Sequence, residues 1–411
     1  MKICEHWRGA ATLSTFLQKH RPFNNFLALL IAAVFLLTGC WQAPQQGEPG
    51  GQAPVVITIW HSWQGAAADA LQAQAQNINQ NNPQIIVKLK FVPEQGFADL
   101  AYQAEAGGEG PQIFLARRET IYQLYQRGTI SPVRQNEADA FPATAAEFRF
   151  NGKLYAQPVL TDVPVLYFRQ DMVTAPANLA QMAAGGGFTA SALDTATFSA
   201  LWSSAGGSLW NGQSPQLDAP VNLAFLRQVL GWQQAKQLTV GSNSLSLFAN
   251  GQVPYAVAWA GQSEMLTQLK VQWASVPITN LVGGQDRVML GPSWALANSA
   301  VKTTAQTAPF IMLVEKALVT PDVERALAKS AMGVPAAASF YKSPGTAQGI
   351  WADVNGTLNK AWVLEGSAPE RKLIPLQDAA WAAAIGGAAA PDQALAKAQS
   401  DAVKALAQPS P

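Results

Sequence analysis

Residues 55–92 read VVITIWHSWQGAAADALQAQAQNINQNNPQIIVKLKFV, and the order of textures in that stretch decides the fold class. Val55–Trp60 is a run rich in β-branched residues that closes on an indole and gives way to the polar loop HSWQG. Two heavy atoms on Cβ crowd a helical turn but suit an extended backbone, so this run predicts a strand. From Ala66 to Asn82 the composition changes to Ala, Leu, Gln and Asn, with Leu71, Ala75 and Ile78 spaced to share one helical face. Asn81-Asn82-Pro83 stops that helix, because proline disfavours helical backbone at the residue before it. Ile85–Val92 is strand-like again. Strand, helix and strand in so short a span form a unit that builds parallel sheets.

Working outward, the alternation continues. Phe97–Gly107 and Glu119–Arg127 read as helices, the second ended by Gly128, with Gln112–Ala116 as a strand between them. Leu154–Pro158 leads to a crossover, and past about Pro164 the texture shifts. Val165–Phe168 and Val271–Pro277 are expected strands, Ala183–Thr189 and Gly283-Gly284 loops, and Thr195–Ser203 a helix. Val221–Gln237 is a helix with Leu223, Leu226, Leu230 and Trp232 as its apolar positions. Leu245–Trp259 reads as a helix end, a glycine turn and a strand. Ala305–Leu318, Pro321–Met332 and Leu395–Ala407 are later helices, and the alanine-rich residues 379–399 form a helix–turn–helix. Asp392 near the start of the last helix is placed where a carboxylate meets the positive end of the helix dipole. The pattern is α/β, with helices on both faces of a sheet.

Composition narrows the chemistry. The chain has 411 residues, 49% hydrophobic and only 13% charged, with a net charge of +1. Such length suggests two or three domains, and so balanced a charge leaves no footprint for nucleic acid. The histidines are His6, His20 and His61, and the cysteines Cys4 and Cys40. Lys2, Arg8, Lys19 and Arg21, followed by an apolar run from Phe26 to Leu37 and then Leu37-Thr38-Gly39-Cys40, describe a secretory signal over residues 1–39. A run of about a dozen apolar residues is too short to span a hydrocarbon core, which needs about 20. Once the signal is removed, one histidine and one cysteine remain, so a histidine-rich metal site, a Cys–His protease and a disulfide framework have nothing to use. Residues 40–54, rich in Pro, Gly and Gln after Cys40, read as a flexible tether.

Leu-Thr-Gly-Cys resembles the lipobox of bacterial lipoproteins, which implies that Cys40 carries lipid and holds an extracytoplasmic domain at a membrane. Six blocks then occur in order: ITIWHSWQG, GGEGPQIFLARRETIYQLYQRGTISPV, LYAQPVLTDVPVLYFRQDMV, FANGQVPYAVAW, AMGVPAAASFY and PDQALAKAQ. Together they resemble the bacterial extracellular solute-binding proteins of ABC importers, in the carbohydrate-type group that includes maltose-binding protein. The resemblance implies two α/β lobes, each a sheet flanked by helices, joined by a three-segment hinge that closes over a solute. Residues 55–161 with about 277–335 would form the first lobe, and 162–276 with about 336–411 the second. The crossings are expected near Thr161–Pro164, Val271–Ile278 and Pro335–Pro344. The implied partners are a sugar solute, the permease subunits of an importer and, through Cys40, the membrane, with the receptor itself a monomer. The chain has no Gly-rich Lys motif that cradles phosphate, so ATP would be used by a partner. No cofactor, metal or catalytic residue is implied.

Flat indoles stack on the C–H faces of sugars while polar groups take the hydroxyls. Eleven tryptophans lie beyond residue 54. Trp63 and His61 occupy the loop after the first strand, at the end of the sheet where ligands bind. Trp210 follows Gly-Gly in GGSLWNG, and Trp294 lies in LGPSWAL after a glycine loop. The resemblance adds Glu119 and Asp162 as carboxylates for hydroxyl groups and Trp259 as an indole facing the cleft, and Arg117 joins them at the end of its strand. Trp60, Trp202, Trp232, Trp273, Trp362 and Trp381 fall in strands or helices and are expected in the core. Gln112 stands where the family has Asp, and Phe168-Arg169 where it has Tyr-Asn. Tandem Arg117-Arg118 is unusual for a neutral sugar, which leaves an anionic or amine-bearing solute as the alternative. A secreted glycosidase would need two carboxylates about 5–10 Å apart, and Glu119 with Asp162 is the pair it would have to use.

Overall fold

The computed structural model describes residues 53–133, 139–282 and 287–407. Residues 54–411 group as one compact unit. The signal, Cys40, the tether up to residue 52 and Gly283-Gly284 lie outside the described residues.

Two sheets organise the unit. The first contains β1 (Val55–His61), β2 (Ile85–Phe91), β3 (Ile113–Arg117) and β4 (Ile130–Ser131). A short hairpin, β5 (Arg149–Phe150) and β6 (Lys153–Leu154), precedes β7 (Ala156–Thr161), which belongs to the first sheet. The chain then enters the second sheet with β8 (Pro164–Arg169), β9 (Phe188–Ala190), β10 (Leu238–Val240), β11 (Tyr255–Trp259) and β12 (Trp273–Pro277). It returns to the first with β13 (Trp294–Ser299) and β14 (Val334–Pro335). The orders are β14-β7-β13-β3-β1-β2, with β4 beside β13, and β10-β9-β11-β8-β12.

The opening stretch folds as its texture predicts. β1 and β2 are parallel in register from Val55↔Ile85 to His61↔Phe91, joined by the helix Gly65–Asn81, which buries Ala67, Leu71, Ala75 and Ile78. Side chains alternate across the strand. Ile57 and Ile59 pack beneath that helix and Ala308–Leu318, whereas Trp60 turns to the other face among Phe97, Phe114 and Leu124. The second sheet is likewise covered twice: Leu166, Phe188 and Val257 face Trp202, Trp232 and Trp381, and Val165, Tyr167 and Ala258 face Phe248, Val354 and Leu358. The result is a mixed α/β, two-lobed molecule.

Local departures have local causes. Ala183–Thr189, expected as a loop, is mostly the end of the helix Leu179–Ala184 and the start of β9. Gly186 and Gly187 adopt φ of 113° and 83°, which compresses the reversal between them. The helix expected from Thr195 begins at Ser199, because the Thr195 N–H and hydroxyl both donate to Asp378 and hold that residue outside it. Val271–Ile278, expected at a crossing, is largely β12 and stays in the second sheet. Ile278, Leu281 and Val288 pack in the same core as the second sheet, and the chain re-enters the first sheet at Trp294.

Candidate functional site

The chain passes between the two sheets at one end of the first sheet's strands, where β3 and β7 end and antiparallel β13 begins. Arg117 pairs with Trp294 and Leu160 with Trp294 across the ladder, while Val334 pairs with Thr161. The Arg118 N–H donates to the Ser293 carbonyl at 3.0 Å, and the Ser293 and Thr161 hydroxyls are bonded at 2.9 Å.

Asp162 lies where the chain passes from β7 of the first sheet to β8 of the second. Its carbonyl accepts from the Gly291 N–H at 2.9 Å. Its carboxyl oxygen Oδ1 accepts from Val163 at 2.9 Å and from Gly261, just past β11, at 3.1 Å. The side chain is buried, and desolvation pushes its pKa up to about 7 against the opposing backbone hydrogen bonds. Around it the backbone is close-packed. A Cβ on Gly261 would lie 2.7 Å from the Gly333 Cα, and one on Gly333, whose φ is +141°, 2.3 Å from the Thr161 carbonyl oxygen. Trp259 lies against the same backbone: a Cβ on Gly291 would come within 2.6 Å of its ring. The Tyr167 hydroxyl fixes that corner by donating to the Trp259 and Ala260 carbonyls.

The other sequence-derived candidates divide into three settings. Trp63 and Trp294 contact edge to face with ring centres 5.5 Å apart, and the exposed Arg117 guanidinium caps Trp294 at 5.1 Å. Both indoles are covered, 1% and 3% exposed, so Arg117 is the member of that trio that meets solvent. His61 is also buried, with Phe91 at its ring, and desolvation lowers its pKa, favouring the neutral imidazole.

Glu119 sits in the first turn of the helix Arg118–Gln126 and pairs with Arg118 at 2.5 Å. The two line a cleft of about 570 Å³ between that helix and residues 366–372, together with Arg371. That far wall is tied to the first lobe: the Gly366 N–H donates to Ala146 at 2.9 Å and to Arg149 at 3.1 Å. Arg371 pairs with Glu147 at 3.1 Å.

Trp210 lines a separate pocket of about 340 Å³ in the second lobe with Trp202, Trp362, Arg287 and the serines at 203 and 208. A Cβ on Gly207 would fall 2.1 Å from the Trp202 indole nitrogen, so glycine is needed for that ring to form the floor. The Trp202 N–H donates to Asn222, which fixes the ring. Arg287 stacks over Trp362 at 5.6 Å. This pocket and the cleft beside Glu119 meet at the start of the helix Glu370–Ile385, Glu370 facing one and Arg371 the other.

Trp362, Arg287 and Arg371 escaped the sequence reading. Trp362 was expected in the core, yet it is only partly buried and lies past the end of the helix Ile350–Leu358, before the loop LEGSAPE. A tryptophan at a helix end beside Gly and Pro is the same signal that singles out Trp210. Among the described residues no group of His, Cys, Asp and Glu could hold a metal, and no helix is long and apolar enough to cross a membrane.

Comparison with known proteins adds the following. Residues 66–355 match the family model described as bacterial extracellular solute-binding protein. A cyclo/maltodextrin-binding protein solved with maltotetraose is similar in structure, with a TM-score of 0.72, 14% identity, and coverage of 88% of this chain and 99% of that one. The GacH receptor of Streptomyces glaucescens, solved unliganded and with acarbose, follows with a TM-score of 0.71, 17% identity, and coverage of 86% and 98%. The maltose/maltodextrin-binding domain from Bdellovibrio bacteriovorus, bound to maltotriose, has a TM-score of 0.68, 15% identity, and coverage of 86% and 100%. At these identities the likeness is one of fold. No curated protein sequence matches the chain.

Proposed function

The chain belongs to the bacterial extracellular solute-binding proteins, and from that membership we propose that it captures a sugar or oligosaccharide at the edge where its lobes meet. The observation that carries the sugar reading is the indole-walled pocket of Trp202, Trp210 and Trp362 with its serine hydroxyls, which meets the cleft beside Glu119 at the start of the helix Glu370–Ile385. Sugars offer flat C–H faces to such rings and hydroxyls to such polar groups. The solved relatives bound to maltotetraose, acarbose and maltotriose support the same reading.

In this proposal the first lobe comprises 54–161 and about 294–335, and the second 164–288 and about 340–407. They close over solute by rotation about Asp162, a population shift bounded by the solute's preference for the closed form. Lipid on Cys40 anchors the receptor outside the cytoplasm, and the loaded form delivers solute to the permease of an ABC importer. Asp162, Trp259, Arg117, Glu119 and Trp210 contact solute or its hydration shell, while His61, Trp63 and Trp294 support the strand ends from beneath. Binding and transfer need no covalent step from this chain.

A second reading rests on Arg118, Arg371 and Arg287, which line the cleft and the pocket. Guanidinium groups favour carboxylate or phosphate partners, so a sugar acid competes with a neutral sugar as the solute. Thermal-shift titration of the unit 54–411 separates these. Maltotetraose, acarbose and galacturonate are the probes, and a ligand at 100 times its Kd stabilises by roughly 2.7 kcal/mol. Stabilisation by a neutral oligosaccharide supports the first reading, and stabilisation by galacturonate alone the second. No shift with any of the three, nor with a wider sugar panel, removes the carbohydrate assignment. For the anchor, a Cys40→Ser chain that still takes up labelled fatty acid overturns lipidation at that residue.

A further inference from the structure

We propose that the first lobe holds a second small-molecule site, apart from the lobe junction, that takes a primary amine carried on a small apolar body. A cavity of about 230 Å³ lies between β7, β13 and the helix Ala308–Leu318. It opens at the end of the strands remote from the crossings. β13 begins at the junction with Trp294, and it is Asn298, near its other end, that lines the cavity.

The walls are apolar, built by Val133, Ile311, Met312 and Val319. Set into them are three oxygen atoms without a hydrogen bond of their own, Glu315 Oε1, Asn298 Oδ1 and Thr303 Oγ1, although the Asn298 amide side chain bonds the Glu315 carboxyl. Glu315 is 9% exposed and Asn298 6%. Buried polar atoms are nearly always paired, so three unpaired oxygens on one small cavity suit a ligand that donates. Its chemistry follows from theirs. A carboxylate oxygen and an amide carbonyl oxygen only accept, so the occupant must donate. An ammonium group brings three donors and no acceptor, and its charge finds a counter-ion in Glu315. The apolar walls take the rest of the molecule.

The other charged groups on the cavity do not supply that charge balance. The Asp139 carboxylate is engaged by the Ser339 N–H and hydroxyl, and Lys316 is exposed. Burial holds the Glu315 carboxyl up to about 7, against the opposing hydrogen bond from Asn298. An arriving ammonium must therefore displace a proton at lower pH, and binding tightens as pH rises.

Benzylammonium is the probe, with benzyl alcohol and benzoate as isosteres of other charge, titrated into the full-length chain by saturation-transfer NMR at pH 6 and pH 8. The expected result is saturable binding of benzylammonium with Kd below about 1 mM, tighter at pH 8, and weaker binding of the other two. Glu315→Gln should weaken it tenfold or more. Met312→Phe, which fills the cavity without touching the carboxylate, should abolish it, so the outcome does not hang on one variant's folding. Equal binding of alcohol and amine, or retention of amine by Glu315→Gln, overturns the amine assignment. No saturable binding of any probe means that water fills the cavity and overturns the site. Maltotetraose titrated in parallel reads the lobe junction, so a failure there is distinguishable from a failure here.

Discussion

The guanidinium of Arg371 reaches the carboxylate of Glu147 at 3.1 Å, and the two side chains are 12% and 2% exposed. Arg371 belongs to a helix whose Leu373 and Trp381 lie in the second lobe's core, whereas Glu147 is followed by Phe148 and Phe150 in the first lobe's. A buried ion pair thus joins elements packed in two different cores, and Arg371 also donates to the Leu364 carbonyl at 2.7 Å.

Removing one partner of such a pair leaves a charge buried alone, which costs about 3–5 kcal/mol, whereas replacing both with apolar groups is often neutral. Glu147→Ala should therefore lower unfolding free energy by about 3 kcal/mol, and Glu147→Ala with Arg371→Met should recover most of it. Urea unfolding of the two single variants and the double variant tests this. Additive losses would show that the pair is uncoupled.

Asp162 gives the molecule a pH response of determinate sign. Its folded pKa, about 7, lies above the ordinary 3.8, so the folded state holds its proton more tightly than the unfolded chain. Stability from this group is present below about pH 4 and is lost as pH rises through about 7, by a few kcal/mol at most. Asp162→Asn keeps the accepting oxygen for Gly261 and removes the titration. The difference in unfolding free energy between pH 5 and pH 8 should shrink in that variant. Glu315 and Glu324, raised to about 7 and about 9, respond with the same sign, so only the subtraction isolates Asp162. An unchanged difference would disprove the assignment.

Gly333 cannot be replaced cheaply. Its φ of +141° is unfavourable for any side chain, and a Cβ would collide with the Thr161 carbonyl at 2.3 Å. Gly333→Ala should cost about 2 kcal/mol or more and separate β14 from β7. A melting temperature within a degree of the parent would refute the contact.

At the pocket, Trp362→Ala and Trp210→Ala should each weaken binding of the best solute by about tenfold, on the order of 1–2 kcal/mol for a lost stacking ring. The melting temperature of unliganded protein should fall little, because both rings are only partly buried. Trp202→Ala is the contrast: that ring is 1% exposed, and its loss should destabilise by about 3–5 kcal/mol. Equal affinity in the Trp210 and Trp362 variants would move the solute away from this pocket.

Much of the architecture is legible in the residues because local signals and tertiary demands agree. Strand β1 is β-branched and buried, the helix Gly65–Asn81 carries its apolar face at helical spacing, and Asn-Asn-Pro ends it. The order of β8 through β12 is less legible. Phe188–Ala190 and Leu238–Val240 are three residues each, too short for periodicity, and are strands only because they pair with each other and the first of them with β11. The candidate site divides similarly. Asp162 comes from the family resemblance, and the structure puts it between β7 and β8. The burial of Trp63 by Trp294 has no local signal, since those residues are 231 positions apart and meet only when β13 inserts beside β3. The same limit hid Arg371, whose partner belongs to an element packed in a different core.

The contact of Gly261 with Gly333 has one more consequence. Two backbones touching without side chains make a fulcrum, and displacement in any rotation about it grows with radius. Residues beside it, Asp162 and Trp259, would sweep little, whereas residues at greater radius would travel farther. Under the proposed closure, the inner residues meet solute in much the same way throughout. The outer ones make contacts that differ most between open and closed forms, and such differences alone drive the shift. Substitutions near the fulcrum would then alter affinity for both forms together. Those at the periphery would change how completely a bound solute shuts the molecule.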